Sequence, residues 1–244
     1  MIGDEAAPHR AYLNITYPLN EGRVSNWDQM ELLWDYCFDK KLELPADKSS
    51  KKILLTEPAN NVNKNREKMG EIMLEKYGYG GVAFEFQALL TLMAEGNQTG
   101  TVLDSGDGVT HVIPVYEGLI QNNSIKRLNV AGRHVTQYLT KLLMLRGYSF
   151  NSSADFETVR EIKENMCYVS INIDKERALA KDTTVIEKEY KLPDGQTVIV
   201  GRERFEAPEI LMNPALLELE SPGMAEMIYD SITSCEMDTQ KTLA

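Results

Sequence analysis

The residues best suited to chemistry lie in one short segment, residues 104–111, which reads Asp-Ser-Gly-Asp-Gly-Val-Thr-His. Apolar runs flank this segment on both sides, which predicts two strands joined by a tight turn. In such a turn Gly106 and Gly108 allow backbone N–H groups to approach a phosphate closely. Asp104 and Asp107 could hold a hydrated divalent cation, the usual companion of a nucleotide polyphosphate. The alternative is an ordinary hairpin whose aspartates and glycines only form the turn.

The composition is typical of a protein with a hydrophobic core and a charged surface. The chain has 244 residues, enough for one large domain or two ordinary ones; 43% are hydrophobic and 26% charged. The net charge of −11 disfavours nucleic acid and anionic membranes as partners and suits a partner with a basic face. The longest aliphatic run, residues 142–145, is too short for insertion into a membrane.

The N-terminus and the cysteines indicate a cytoplasmic location. The first residues lack the basic and apolar regions of a secretory signal. Cys37, Cys167 and Cys235 are odd in number and far apart, so they match neither a metal-binding spacing nor a disulfide framework. We therefore expect reduced thiols in the cytosol.

Strands that alternate with helices predict an α/β fold. Capping residues and apolar periodicity predict helices that begin after Asn26 and at residues 64–77, 87–95, 133–146, 152–168 and 224–233. The predicted strands are residues 53–55, 82–86, a pair within 100–116, and a hairpin of 187–191 with 197–200 around the turn 192–195. Residues 1–20 are expected to be irregular, and 121–124 to form an exposed polar loop. Hairpins are interleaved among crossover units, which disfavours a purely doubly wound sheet.

Segment 104–111 is similar to the second phosphate-binding loop of the actin superfamily. Other stretches resemble that superfamily in the same order: Gly3-Asp4-Glu5-Ala6, Asn26-Trp27-Asp28, Leu54-Leu55-Thr56-Glu57, Asn65-Arg66-Glu67-Lys68-Met69, Ala131-Gly132-Arg133 and Leu192-Pro193-Asp194-Gly195. Residues 153–160 and 203–209, together with Asp35 and Tyr36, are more similar to the actin-related proteins of the branch-nucleating complex than to conventional actin.

This resemblance implies an actin-like ATPase fold, shared by actin, hexokinase and the heat-shock ATPases, with four subdomains around an ATP cleft. By order along the chain, residues 1–19 resemble the trailing part of subdomain 2 and 20–94 part of subdomain 1. Residues 131–219 resemble subdomain 4, and 95–130 with 220–244 resemble part of subdomain 3. Members of the family are longer at both ends, so the resemblance implies an internal fragment without the first phosphate loop and the adenosine loop. We expect such a fragment to aggregate and to neither bind nor hydrolyse ATP measurably.

The resemblance assigns the residues of the loop to a nucleotide. Asp104 is implied to hold the Mg²⁺ of Mg-ATP through water. The terminal phosphates are implied to be surrounded by Gly106, Asp107, Gly108 and Val109.

Two further residues are implied to act on water in the same cleft. Gln87 resembles the glutamine that positions the attacking water, and His111 resembles a histidine of the same water network. An amide can orient water but cannot accept its proton, so the implied hydrolysis is slow. The alternative is that both are structural residues with satisfied hydrogen bonds.

The resemblance also implies contacts to the adenosine. Lys163 and Glu164 match a pair that contacts adenine and ribose, and Arg160 lies on the same helix face at i, i+3 and i+4 spacing. Gly132 matches a close backbone approach to the base. The alternative for the three charged residues is a solvated stripe on a helix, and for Gly132 an ordinary glycine before a helix.

Two positions depart from the family pattern. Glu85 stands in a segment that is normally apolar, so its carboxylate is expected either to be buried at some cost or to turn toward the cleft. His134 stands where the family usually has an aspartate, which removes a negative charge beside the nucleotide. Both departures put the hydrolytic geometry in doubt.

The resemblance implies an ATP-binding subunit of the branch-nucleating complex, which templates daughter actin filaments in the cytoplasm. Its cofactors would be ATP and Mg²⁺, and its partners would be actin, the other subunits including a second actin-related protein, and nucleation-promoting factors. One alternative is a conventional actin-like filament protomer. Another is a phosphotransferase of the sugar-kinase superfamily, but the sequence shows no aspartate base beside a sugar-binding segment. A heat-shock-type chaperone would need a separate peptide-binding domain.

Overall fold

The computed structural model describes residues 1–192 and 195–244, and in them small sheets pack against helices. The predicted α/β class is therefore confirmed. The hairpin predicted around residues 192–195 is present, but Pro193 and Asp194 of its turn lie outside the described residues.

The strands form separate small sheets. They are β1 (Leu19–Asn20), β2 (Arg23–Val24), β3 (Lys52–Glu57), β4 (Gly81–Phe86), β5 (Gly100–Ser105), β6 (Thr110–Tyr116), β7 (Leu119–Ile120), β8 (Lys126–Leu128), β9 (Lys188–Lys191) and β10 (Thr197–Val200). Strands β3 and β4 pair in parallel, whereas β1 with β2 and β9 with β10 pair antiparallel. Strand β6 lies at the centre of the largest described sheet, where it pairs antiparallel with β5, β7 and β8. The predicted mixture of hairpins and crossover units is confirmed.

Six of the nine described helices occupy predicted places, and three, at residues 173–182, 203–206 and 237–243, were not predicted. The nine described helices are α1 (Trp27–Asp35), α2 (Asn63–Glu71), α3 (Gln87–Ala94), α4 (Gly132–Leu145), α5 (Ser153–Met166), α6 (Ile173–Asp182), α7 (Glu203–Glu206), α8 (Met224–Thr233) and α9 (Met237–Leu243). Wider π-helical turns, Tyr36–Lys41 and Ile72–Lys76, extend α1 and α2. None of the described helices has the length and apolar character needed to cross a bilayer.

Two of the predicted helix starts are fixed by side-chain caps. The Asn26 side chain accepts a hydrogen bond of 3.0 Å from the Gln29 N–H at the start of α1. At the start of α5, Ser152 Oγ accepts from the Asp155 N–H at 3.1 Å and Asp155 Oδ2 accepts from the Ser152 N–H at 2.8 Å. Each bond satisfies a donor that the helix itself leaves unpaired, so these positions begin helices.

Some local expectations were wrong. The first residues contain two 3₁₀ segments, Gly3–Glu5 and Ala7–Tyr12, rather than irregular chain only. The loop at residues 121–124 is not exposed throughout, because Ser124 is buried and its carbonyl accepts a hydrogen bond of 2.7 Å from Ser231 Oγ of α8. Helix α8 thereby packs onto the end of the loop at Ser124, while Asn122 and Asn123 stay exposed as predicted.

Apolar clusters hold strand β6 on both faces. Val112 packs into a large cluster with Leu139 of α4 and Ile162 of α5. The next residues of the other face, Ile113 and Val115, pack into a second cluster beneath α3. Successive side chains of a strand point to opposite faces, so alternate residues of β6 pack into two different apolar clusters. These contacts fix the position of the hairpin that β6 forms with β5.

Candidate functional site

The segment at residues 104–111 forms a hairpin turn between β5 and β6. Asp104 is paired with His111, and Ser105 with Thr110, in the register of the two strands. The Ser105 and Thr110 hydroxyls lie 2.8 Å apart and the Gly106 N–H donates to the Val109 carbonyl at 3.1 Å. These bonds close the turn that the sequence predicts.

The start of helix α4 holds the loop in place from the side. The Gly132 N–H donates to the Gly106 carbonyl at 3.0 Å, and the Arg133 N–H donates to the Asp107 carbonyl at 2.8 Å. These helix N–H groups would otherwise lack partners within the helix. Among the described main-chain hydrogen bonds, the N–H groups of Asp107 and Gly108 have no acceptor, so they are free to bind an anion.

The two aspartates of the loop differ in their surroundings. Asp107 Oδ2 accepts from Arg133 Nε at 2.9 Å and lies 2.7 Å from Arg133 Nη2, so its carboxylate already has a cationic partner. The same guanidinium stacks over the ring of Tyr17, with its central carbon 4.5 Å from the ring centroid. Asp104 is half-buried and faces a cleft with no such ion pair among the described residues. Asp104 is therefore the carboxylate available to a cation.

The loop lines a cleft of about 490 Å³, a volume within the usual range of small-molecule sites. The cleft collects most of the residues singled out from the sequence: Gln87, Asp104, Gly106, Asp107, Gly108, Val109 and His111. Residues separated by more than twenty positions therefore meet at one site.

Gln87 and His111 present different groups to the cleft. Gln87 is exposed, and its side-chain amide donates to Thr56 Oγ1 at 3.3 Å. His111 is only 3% exposed, and its Nε2 has no hydrogen-bond partner among the described residues. Burial lowers the pKa of His111, and the positive charge of Arg127 lowers it further. The ring is therefore neutral at neutral pH and can act as a hydrogen-bond partner but not as a fixed cation.

The buried histidine makes the stability of the chain dependent on pH. Because the folded-state pKa of His111 lies below the unfolded value of about 6.5, the unfolded state binds the proton first as the pH falls. We expect the free energy of unfolding to fall below about pH 6.5, with His111 contributing up to about 1.4 kcal/mol per pH unit. In urea titrations from pH 5 to 7.5, His111→Gln should flatten this slope. The same change at exposed His9 should leave the slope as in the wild type, and equal slopes for both variants would refute the assignment.

Four other sequence-predicted residues do not line the cleft. Lys163 Nζ donates to the Gly132 carbonyl at 3.0 Å, so this pair joins α5 to the start of α4. Arg160 pairs with Glu157 at 2.7 Å and with Glu164 at 3.5 Å on the surface of α5. The cleft-lining residues include none of Gly132, Arg160, Lys163 and Glu164.

Residues of the N-terminal segment form one side of the cleft, which no pattern in the sequence indicates. Tyr17, Pro18, Leu19, Glu21 and Gly22 line it, as do Leu33, Pro58 and Arg133. The Tyr17 hydroxyl donates to the Glu157 carboxylate of α5, and burial together with this bond raises its pKa to about 12. Tyr17 therefore links the N-terminal segment to α5.

The two departures from the family pattern have structural explanations. Glu85 is half-buried, does not line the cleft, and accepts a hydrogen bond of 3.0 Å from the Phe86 N–H. Its charge also acts on nearby Arg66. His134 Nδ1 accepts from the Ala131 N–H at 3.2 Å and so caps α4. Neither expectation for Glu85 is met, because its carboxylate is neither fully buried nor turned into the cleft.

The two loop glycines should respond differently to a methyl group. A Cβ at Gly108 would lie 3.2 Å from the Cα and 3.3 Å from the N of Glu21, whereas one at Gly106 would meet nothing within 4 Å. We expect Gly108→Ala to lower the free energy of unfolding by about 1–3 kcal/mol, because the backbone of the N-terminal segment must shift. Gly106→Ala is the matched control and should unfold like the wild type. Equal denaturation midpoints for the two variants would show that the segment does not press on the loop.

Comparison with known proteins agrees with the resemblance seen in the sequence. The actin family model matches residues 1–244. The chain is 53% identical over 243 residues to actin-related protein 2 of Saccharomyces cerevisiae, covering 100% of this chain and 62% of that protein. It is 53% identical over 240 residues to actin-related protein 2 of Acanthamoeba castellanii (98% of this chain, 61% of that protein). It is 51% identical over 243 residues to actin-related protein 2 of Drosophila melanogaster (100% and 61%).

The chain thus spans about three fifths of the length of these curated relatives. The family match extends over the described cleft, its phosphate-type loop and the helices that hold them. The relatives are actin-related proteins, which agrees with the similarity of residues 153–160 and 203–209 to that group. The chain belongs to the actin family.

Proposed function

We propose that this chain is the ATP-binding, actin-related subunit of a branch-nucleating complex. The observation that carries the proposal is the cleft in which Asp104, the loop N–H groups and Gln87 converge. Identity of 53% to an actin-related protein 2 across the whole chain supports the same assignment. In this role the subunit templates a daughter actin filament on an existing one.

The described residues fit a nucleotide with a divalent cation. The space around Gly106 is open, and the N–H groups of Asp107 and Gly108 are free to bind phosphate oxygens. Bound Mg²⁺ would neutralise the polyphosphate, and Asp104 would hold the hydrated ion because its carboxylate has no ion-pair partner among the described residues. Val109 would complete the phosphate pocket.

The adenosine roles of α5 are part of the same proposal. Lys163 lies within 3.0 Å of the Gly132 carbonyl, so a base beside Gly132 would be within reach of its ammonium group. Glu164 would accept from the ribose hydroxyls, and Arg160, 3.5 Å from Glu164, would fix that carboxylate. All of these contacts require a nucleotide that extends past the loop toward α5.

Gln87 and His111 would hold water near the terminal phosphate. The Gln87 amide can orient a water molecule, and neutral His111 offers a buried ring nitrogen to the same network. Neither is a strong base at neutral pH, so any hydrolysis would be slow and ATP would act mainly on conformation. The proposed subdomain boundaries remain 1–19, 20–94, 95–130 with 220–244, and 131–219.

The decisive experiment is affinity purification of the chain, tagged at its own locus. We expect it to co-purify with a stable multi-subunit assembly that contains a second actin-related protein, and to respond to nucleation-promoting factors. Imaging should place it at branched actin in the cytoplasm. Conventional actin, tagged in the same way, is the matched control. Uniform incorporation along filaments with no such assembly would favour the conventional-actin alternative and refute the proposal.

A further inference from the structure

The start of helix α4 has its main-chain N–H groups satisfied by two different partners. Gly132 and Arg133 donate to carbonyls of the loop at residues 104–111, at 3.0 and 2.8 Å. The residue before them, Ala131, donates to Nδ1 of His134 at 3.2 Å. None of these donors can find an acceptor within the helix itself. Three consecutive N–H groups therefore hold the loop and the imidazole of His134 at one helix end.

The hydrogen bond from Ala131 requires the neutral form of His134. Nδ1 accepts it through its lone pair, so the ring proton must be on Nε2. Protonation places a hydrogen on Nδ1, and two donors then face each other. It also places a positive charge at the N-terminus of α4, where the helix dipole disfavours cations. Both effects act in the same direction, because each one weakens the start of the helix.

The charged groups around His134 keep it neutral at neutral pH. Burial lowers the pKa of His134, Glu21 and Asp107 raise it, Arg133 lowers it, and the net result lies below the usual value of about 6.5. Asp107 is already paired with Arg133 at 2.7 Å, and Glu21 is 47% exposed, so water screens its charge. Lys163 of α5 adds a further positive charge at this helix end. The bond is therefore complete at neutral pH and is lost as the pH falls.

Loss of this bond reaches the loop through the backbone. Ala131 is 0% exposed, so its N–H cannot turn to water and would be left without an acceptor. It is followed directly by Gly132 and Arg133, which hold the loop. A Cβ at Gly132 would lie only 3.2 Å from the Gly106 carbonyl oxygen, so the two backbones are in close contact. A shift of Ala131 therefore moves the donors to which the loop is attached.

We propose that His134 is a pH-sensitive positioning residue for the loop at residues 104–111. Neutral His134 fixes the first turn of α4 and, through that turn, the loop. Protonated His134 releases the loop from the helix. The proposal concerns the attachment of the loop and does not depend on a nucleotide. An anion bound by the loop N–H groups would be held less tightly in acid.

The test is hydrogen exchange from pH 7.5 to 5 in a chain completed to the length of its relatives and free of nucleotide. Mass spectrometry of peptides that contain Ala131, Gly132 and Arg133 gives the exchange rates, each divided by the intrinsic rate at the same pH. We expect the protection of these amides to fall about fivefold or more in acid, because a helix cap and a neutral helix start are lost. The Gly106 amide, held within the hairpin by Val109, should change less.

A second measurement follows the imidazole directly. In protein with ¹⁵N-labelled histidine, the ring nitrogen shifts of His134 should show the proton on Nε2 at pH 7.5. The same signals should titrate together with the loss of amide protection. This readout depends on the hydrogen bond to Nδ1 and would not respond to a side chain that only fills space.

Variants separate the charge of the side chain from its size. His134→Asp keeps an acceptor near the Ala131 N–H and does not titrate in this range, because aspartate ionises near about pH 3.9, so protection should stay constant. His134→Lys is positive throughout and offers no acceptor, so protection should be low at every pH. His9→Gln removes an exposed histidine and should behave like the wild type. Circular dichroism would verify that each variant is folded.

The proposal would be overturned by protection that does not fall between pH 7.5 and 5, or by an equal fall in His134→Asp and the wild type. A proton on Nδ1 of neutral His134 would also overturn it. So would an equal fall at the start of α4 and in the hairpin of β5 and β6, because that result would indicate unfolding of the whole chain, to which His111 contributes.

Discussion

In a chain completed to the length of its relatives, Asp104→Ala should weaken Mg-ATP binding about tenfold or more. The carboxylate faces the cleft, and no ion pair among the described residues compensates its charge. Its removal would take away a negative charge that helps to hold the Mg²⁺, and with it the polyphosphate that the ion neutralises. A charged contact of this kind contributes about 1.5–3 kcal/mol. Equilibrium binding of a fluorescent ATP analogue, measured with Mg²⁺ and with a chelator, would detect the loss. The effect should be large only when Mg²⁺ is present.

Two variants control for this result. Asp104→Asn keeps the shape of the side chain but removes its charge, so it should lose most of the Mg²⁺-dependent affinity. Glu95→Ala removes one negative charge from an exposed position at the end of α3, so nucleotide affinity should stay unchanged. Unchanged affinity in Asp104→Ala itself would mean that this residue only forms the turn.

Phe205→Ala should destabilise the fold by about 3–5 kcal/mol. Phe205 of α7 is 0% exposed, and its ring packs against Tyr168 with the ring centroids 6.2 Å apart. Truncation removes buried apolar surface and leaves a cavity that the surrounding helices can fill only in part. Urea denaturation followed by circular dichroism measures the change.

Tyr229→Ala is the matched control for Phe205→Ala. Tyr229 of α8 is also aromatic and helical, but it is 68% exposed. Its truncation should change the free energy of unfolding by about 0.5 kcal/mol or less. Similar losses of unfolding free energy in the two variants would show that the packing of Phe205 adds little to stability.

Local chemistry explains why so many elements could be predicted from the sequence. The caps at Asn26 and Ser152 act within three residues, so their signal is contained in the helix starts themselves. The hairpin of β5 and β6 was predictable because two apolar runs flank a glycine-rich turn. Helix α6 was not predicted, although the Asn172 side chain caps it by accepting a hydrogen bond of 3.1 Å from the Lys175 N–H; none of its residues is buried, so it contributes no apolar face to the core.

Contacts between distant segments explain what the sequence could not show. Tyr17 donates to Glu157, which lies 140 residues away, and no local pattern indicates such a pair. Arg133 neutralises Asp107, so the two similar aspartates of the loop have different roles, although their spacing suggests equivalence. Seven of the site residues named by resemblance line one cleft, whereas the four assigned to the adenosine do not line it. The wall formed by the N-terminal segment could be seen only in the folded structure.

The hydrogen bonds from helix α4 to the loop also allow the opening of the loop to be followed by hydrogen exchange. The amide protons of Gly132 and Arg133 are held by loop carbonyls, so they exchange with deuterium only when the loop moves away from the helix. The Gly106 amide is instead held within the hairpin by Val109, so its exchange follows unravelling of the turn. The ratio of these exchange rates distinguishes a loop that swings as a unit from one that frays, with no label and no substitution.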